Sequence, residues 1–251
     1  MLHPRLLALV LFAGTAFAQD ANYKLVLEEN FDGNKLDSEI WEVRSGAKQR
    51  GSFTDEAVEL KDGLLTITTW TDNKVDFSGS IKMRKAKYFD FRQGKVEGRL
   101  RFNPTKGVTA VFGNDTDEDA TKEKQVKIDI FVSFGYEKGG AYMTGVTWNT
   151  PGKPAEKKEL NQRNLTSVGK FWHTYGVEWD SAGYRFTMDG KLRMTVKSSD
   201  GIDARRGIEL ASPLAAGESA ASRVGYGSKE KSKAIYEVDW VKAWKYVPPT
   251  K

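Results

Sequence analysis

Apolar residues in this chain recur at every second position over short runs, with no sustained helical period. Such alternation places one row of side chains on each face of a strand. Leu64, Leu65, Thr66, Ile67, Thr68, Thr69 and Trp70 follow an Asp62-Gly63 turn. Val96, Gly98 and Leu100 alternate with Glu97, Arg99 and Arg101. His173, Tyr175, Val177 and Trp179 share one face, with Thr174, Gly176 and Glu178 on the other. The clearest hairpin carries Tyr184, Phe186 and Met188, turns at Asp189-Gly190, and returns through Leu192, Met194 and Val196. Asp-Gly suits a two-residue type I′ turn because both positions accept positive φ. A final run over 234–246 carries Trp240 and Trp244. Runs rich in Val, Ile, Thr and aromatics, separated by Gly, Asp, Asn and Lys, predict an all-β, two-sheet antiparallel sandwich. Neither a repeat nor a linker divides it, so residues 19–251 read as one domain. Most aromatics fall on alternating positions, where core packing is their first expected role.

Residues 1–18 read as a signal peptide. Arg5 supplies a positive start, 6–12 is an apolar run too short to span a bilayer, and Ala16-Phe17-Ala18 is a small-x-small cleavage site. The mature chain is then expected to start near Gln19 and to be secreted or periplasmic. No second apolar stretch predicts a membrane span, and no cysteine is placed to carry a lipid.

Composition narrows the chemistry. The chain has no cysteine, which excludes thiol catalysis, disulfides and cysteine-ligated metals. Core burial alone must hold the fold, and about 230 residues suffice for one large core. Of the two histidines, His3 leaves with the signal peptide. His173 remains, which excludes a two-histidine zinc site. Any Ser-His-Asp triad would have to use it, yet it sits within a core strand and is expected to be packed and hydrogen-bonded. Loss of Arg5 takes the net charge from +5 to +4. The basic residues are dispersed among acids, so no nucleic acid is expected as a partner. Weak attraction to acidic polymers remains. A monomer is expected.

Ordered blocks along the chain resemble the family 16 glycoside hydrolases, the laminarinase and β-glucanase family with a concanavalin-like jelly roll. Leu27-Glu28-Glu29-Asn30-Phe31-Asp32-Gly33, with Leu36 and Trp41, resembles the opening strand. The block from Val58 to Ile67 resembles the second. Phe77-Ser78-Gly79-Ser80-Ile81, then Phe91-Arg92-Gln93-Gly94-Lys95-Val96-Glu97-Gly98-Arg99, resembles the next. Phe171-Trp172-His173-Thr174-Tyr175 through Trp179, with Met188-Asp189-Gly190, is similar to the block FHxYxxxW…DG. Val238-Asp239-Trp240-Val241 is similar to the closing strand. The resemblance covers nearly the whole mature chain and implies the fold and a polysaccharide partner.

The catalytic strand departs from that pattern. The family carries Glu-x-Asp-x-x-Glu on a bulged strand: nucleophile, assisting Asp, acid/base. Those places hold Lys127, Asp129 and Val132 here. The pleat puts Lys127 and Asp129 on one face. A bulge after Ile130 would bring Val132 to it, whereas an unbulged strand would bring Phe131. Neither supplies a glutamate. Retaining hydrolysis needs one carboxylate to attack and a protonated carboxyl about 5 Å away. Lys127 would oppose the developing cation, Val132 has no proton to give, and Lys127 is expected to pair with Asp129. The glycan floor also differs. The family's GxWPAFW becomes Gly107 to Gly113, with Thr109 and Gly113 at both tryptophan places, and Thr147 stands where a histidine usually follows.

The leading expectation is an exported relative without hydrolase activity. It would bind a polysaccharide in a concave cleft around Lys127, Asp129, Phe131 and Trp148. An acidic or sulfated polymer would be modestly preferred through Lys127. One alternative is hydrolysis by relocated acids from Asp129, Glu137 and the Asp115, Asp117, Glu118, Asp119 loop. The other is a structural cell-envelope module. No cofactor is expected. That acidic loop lacks the Gly and Glu of a calcium-binding EF-hand, since Ala120 and Val126 stand at those places. By family position, Asn30 and Asp239 are candidates for a structural calcium. Asn114-Asp115-Thr116 and Asn164-Leu165-Thr166 match the glycosylation pattern.

Overall fold

The computed structural model describes residues 22–48, 51–103, 105–116, 125–135, 141–163, 171–198, 200–214 and 225–249. The expected signal peptide, residues 117–119, Glu137 and Asn164 lie outside the described residues. Strands β1 (Tyr23–Glu29), β2 (Trp41–Val43), β3 (Gly46–Lys48), β4 (Gly51–Phe53), β5 (Val58–Lys61) and β6 (Leu64–Asp72) come first. Next are β7 (Val75–Ser78), β8 (Ser80–Met83), β9 (Gly94–Phe102), β10 (Thr109–Thr116), β11 (Gln125–Phe134) and β12 (Ala141–Asn149). Then follow β13 (Glu156–Arg163), β14 (His173–Asp180), β15 (Gly183–Met188), β16 (Lys191–Val196), β17 (Arg206–Ala211) and β18 (Ala234–Tyr246). Among the described residues the only helical pieces are short 3-10 turns.

Two sheets result, as the alternation predicts. The seven-stranded sheet runs β13-β12-β11-β10-β17-β8-β2, all antiparallel. The eleven-stranded sheet runs β16-β15-β14-β9-β18-β6-β7-β4-β3, with β1 on β18 and β5 on β6. Only β4 and β7 pair in parallel among the described strands. The core lies between the sheets. Val126, Ile128 and Ile130 face into it at 1%, 0% and 1% exposure, as their alternation predicts. Phe112 reaches across to β9, where an added Cβ on Gly98 would sit 2.9 Å from its ring.

The Asp189-Gly190 turn forms as expected. Both residues have positive φ, 51° and 71°, and Met188 pairs with Lys191. The Asp189 carboxylate accepts from the Thr174 backbone N–H at 3.0 Å and meets His173 Nδ1 at 2.8 Å. His173 is therefore a packed residue that ties a hairpin to its neighbouring strand. Leu192 is 60% exposed: among the described strands β16 lies at the end of its sheet, and its register shifts beside Thr187.

One irregularity positions everything that follows. On β10, Phe112 pairs with Phe131 and Gly113 with Asp129, so β11 carries one extra residue. The β12 pairing also slips between Asp129 and Val132. This is the β-bulge the sequence admits at Ile130. A bulge removes a ladder contact, and the Thr144 hydroxyl supplies a replacement by donating to the Asp129 carbonyl at 3.0 Å. Beyond the bulge, Phe131 turns inward. It stacks on Tyr142 at 6.0 Å between centroids and tilts against Tyr175 at 4.4 Å.

Thr144→Val keeps the shape at this buried position but leaves the Asp129 carbonyl short of a donor. It is expected to destabilise the protein by about 1–3 kcal/mol in urea unfolding, whereas an unchanged midpoint would mean that the hydroxyl does not hold the bulge.

Candidate functional site

The bulge sets three side chains on the open face of the seven-stranded sheet. Lys127 and Asp129 are there by the pleat, and Val132 joins them because one residue has been inserted. Lys127 Nζ lies 2.8 Å from Asp129 Oδ1, so the expected same-face ion pair forms. The partners differ in environment. The Lys127 side chain is 45% exposed, that of Asp129 only 7%.

Cross-strand pairing builds rows outward from this pair. Asp129 has Gly113 on one side and Gly145 on the other, so no side chain rises beside it within its own row. Past the glycines come Glu209 on β17 and Glu159 on β13. Lys127 lies opposite Thr147, and Thr147 lies opposite Lys157. Val132 stands between Val111 and Met143. Gly145 is required by close approach: a Cβ there would meet the Lys158 carbonyl oxygen at 2.5 Å.

Asp129 and Glu209 on this face are both paired with cations. Glu209 accepts from Arg44 Nη1 at 2.9 Å and from Ser80 Oγ at 3.3 Å. Behind the floor, burial pushes the Tyr142 and Tyr175 phenols up, so both remain protonated and neutral.

Several expected site residues lie elsewhere. Phe131 is fully buried, because the bulge that brings Val132 to the open face turns Phe131 into the core. Trp148 is 3% exposed and faces the same interior, since its partner Val126 does. Its indole N–H donates to the Asp200 carbonyl at 3.2 Å. Neither residue can form the contact surface. Trp148 instead borders a cleft of ≈ 450 Å³ at the side of the sandwich, between β13 and the 194–200 segment. Asn114 is completely buried within β10, so it cannot accept a glycan in the folded chain. Asp115 and Thr116 continue β10 as a strand. Asp239 is engaged by the Arg99 guanidinium, and Asn30 hydrogen-bonds Glu28. Among the described residues no three His, Asp or Glu side chains gather to hold a metal ion.

Glu209, Glu159 and Lys157 were missed from the sequence. Alternation does signal that Glu209 points away from the core, because Ile208 and Leu210 flank it. Its position two strands from Asp129 has no local signature.

Comparison with known proteins agrees with this geometry. The family described as Glycosyl hydrolases family 16 matches residues 46–242. A β-glucanase of Fibrobacter succinogenes is 29% identical over 184 residues, 69% of this chain and 48% of that protein. The chain thus spans about half the length of that curated relative. Porphyranase B of Zobellia galactanivorans superposes with a TM-score of 0.75 at 20% identity, covering 90% of this chain and 94% of the other. A laminarinase of Flavobacterium sp. UMI-01 gives 0.73 at 19% identity, covering 88% and 100%.

The ion pair has its own test. Lys127→Met leaves a mostly buried carboxylate without its cation and is expected to destabilise the fold by about 1–3 kcal/mol. Adding Asp129→Asn should recover part of that loss in a double-mutant cycle of urea midpoints. Additive losses would mean that the two side chains do not interact.

Proposed function

This chain belongs to the glycosyl hydrolases family 16, and we propose that it is an exported member without hydrolase activity that holds a polysaccharide on the open face of its seven-stranded sheet. One observation carries the reading. The bulged strand that arrays the family's three catalytic places is intact, yet those places hold Lys127, Asp129 and Val132. Scaffold and site can diverge independently. A double displacement needs a nucleophilic carboxylate and a protonated carboxyl within one site. Asp129 cannot fill both roles, and a cation beside it would repel an oxocarbenium-like transition state.

The likeness to enzymes named for β-glucan and porphyran cleavage supports a polysaccharide as the ligand. The signal-like 1–18 segment supports export to where such polymers occur. Lys127 favours an acidic or sulfated polymer over a neutral one, though Asp129 neutralises much of its charge. The preference is therefore modest and weakens with salt.

Hydrolysis by relocated acids is the competing reading, and Asp129 with Glu209 is the pair it would use. They lie in one row with a single strand between them, which places their Cα atoms roughly 9.6 Å apart. That spacing can accommodate an inverting pair. Each of these carboxylates is, however, already paired with a cation, Asp129 with Lys127 and Glu209 with Arg44.

The decisive experiment measures reducing-sugar release and glycan-array binding on the same preparation. Expected are background release from laminarin, lichenan, agarose and carrageenan, together with retention on at least one glycan. Turnover abolished by Glu209→Gln or Asp129→Asn would establish relocated catalysis. Absence of binding across the array would point to a structural envelope module.

A further inference from the structure

We infer that Lys157, on the edge strand β13, is the cation that recognises an anionic substituent of the bound polymer, acting across Thr147 from Lys127. The inference rests on the polysaccharide reading above and locates the charge that gives it selectivity.

Register places these three residues in one row. Lys127 pairs with Thr147 and Thr147 with Lys157, so their side chains rise on the same open face. Two strand spacings separate the lysine Cα atoms by roughly 9.6 Å. Each lysine stem can span more than half that distance, so both ammonium groups can converge on one sulfate or carboxylate above the Thr147 hydroxyl. A hydroxyl between two cations matches a group that offers several acceptor oxygens.

The two lysines are not equivalent. Lys127 Nζ is held by Asp129, and that pair contributes little net charge to an incoming anion. Lys157 is exposed and makes no ion pair with a described residue. The acid next along its face is Glu159, whose carboxylate accepts from Asn161 Nδ2 at 3.1 Å. Glu159 reduces the local potential and does not cancel it. The net positive field of this row therefore comes from Lys157, and a sulfated residue lying over Thr147 meets it first.

The neighbouring residue supplies a charge-matched control. Lys158 pairs with Val146, whose side chain is buried, so it lies on the opposite face of β13. Lys157→Gln and Lys158→Gln change net charge equally but alter different faces. Affinity is measured for a neutral galactan and a sulfated galactan of matched length, at low and high salt. Lys157→Gln should weaken binding of the sulfated polymer by about three- to fivefold at low salt. It should leave neutral binding unchanged and flatten the salt dependence. Lys158→Gln should change neither polymer by as much as twofold. Equal effects of the two variants would reduce the preference to bulk charge and overturn the inference. So would a sulfate preference that survives Lys157→Gln and disappears in Lys127→Gln. Wild-type protein that retains neither galactan, nor any array glycan, would refute the polysaccharide reading itself. Glycan binding without a sulfate preference would refute only the role of Lys157.

Discussion

Thr144 and the inserted residue Ile130 hold the arrangement on which the rest of the open face depends. One extra residue on β11 changes which side chains point outward beyond it, and a single hydroxyl makes up for the interrupted ladder. The consequences run in both directions. Outward, Val132 is brought into line with Asp129 and Lys127. Inward, Phe131 is driven between Tyr142 and Tyr175, where aromatic packing locks the shift. A register slip would exchange those faces, exposing Phe131 and burying Val132. The bulge is thus stabilised from behind by burial and from the side by a hydrogen bond, so its geometry does not depend on the side chains at Lys127 or Val132.

The open face is otherwise arranged by pairs. Lys127 with Asp129 and Arg44 with Glu209 each place a cation against a carboxylate near the floor. The glycines beside Asp129 leave open floor next to its carboxylate, bordered by the polar side chains along the rows.

Much of the fold was legible because it is local. Period-two alternation identified the core row of β11, and Asp-Gly identified the hairpin with its positive-φ turn. The Lys127–Asp129 pair followed from spacing alone. The failures share one cause, which is dependence on a partner strand. Phe131 would face outward on a regular strand, and only the bulge reverses it. Trp148 faces inward because it pairs with Val126, a contact no short window reveals. Asn114 matched a surface motif while lying on a core-facing strand position. Glu209 and Lys157 share rows with Asp129 and Lys127 only through the strand order that places β17 beside β10 and β13 beside β12. Asp239, read as a metal ligand by position, meets the Arg99 guanidinium across the strand pair.

Among the described strands β13 pairs on one side only, so eight residues of backbone lie along a margin of the sheet. Such a margin is a template for a foreign strand, and a chain of this kind can grow into aggregates by adding copies of itself. Glu156, Lys157, Lys158 and Glu159 put charge of both signs on both faces of that margin. A second chain seeking to pair there would have to bring unmatched charges together and strip them of water. The same short segment that presents a lysine to the open face thereby helps keep neighbouring molecules apart, and replacing its charged residues together would favour self-association even with the core unchanged.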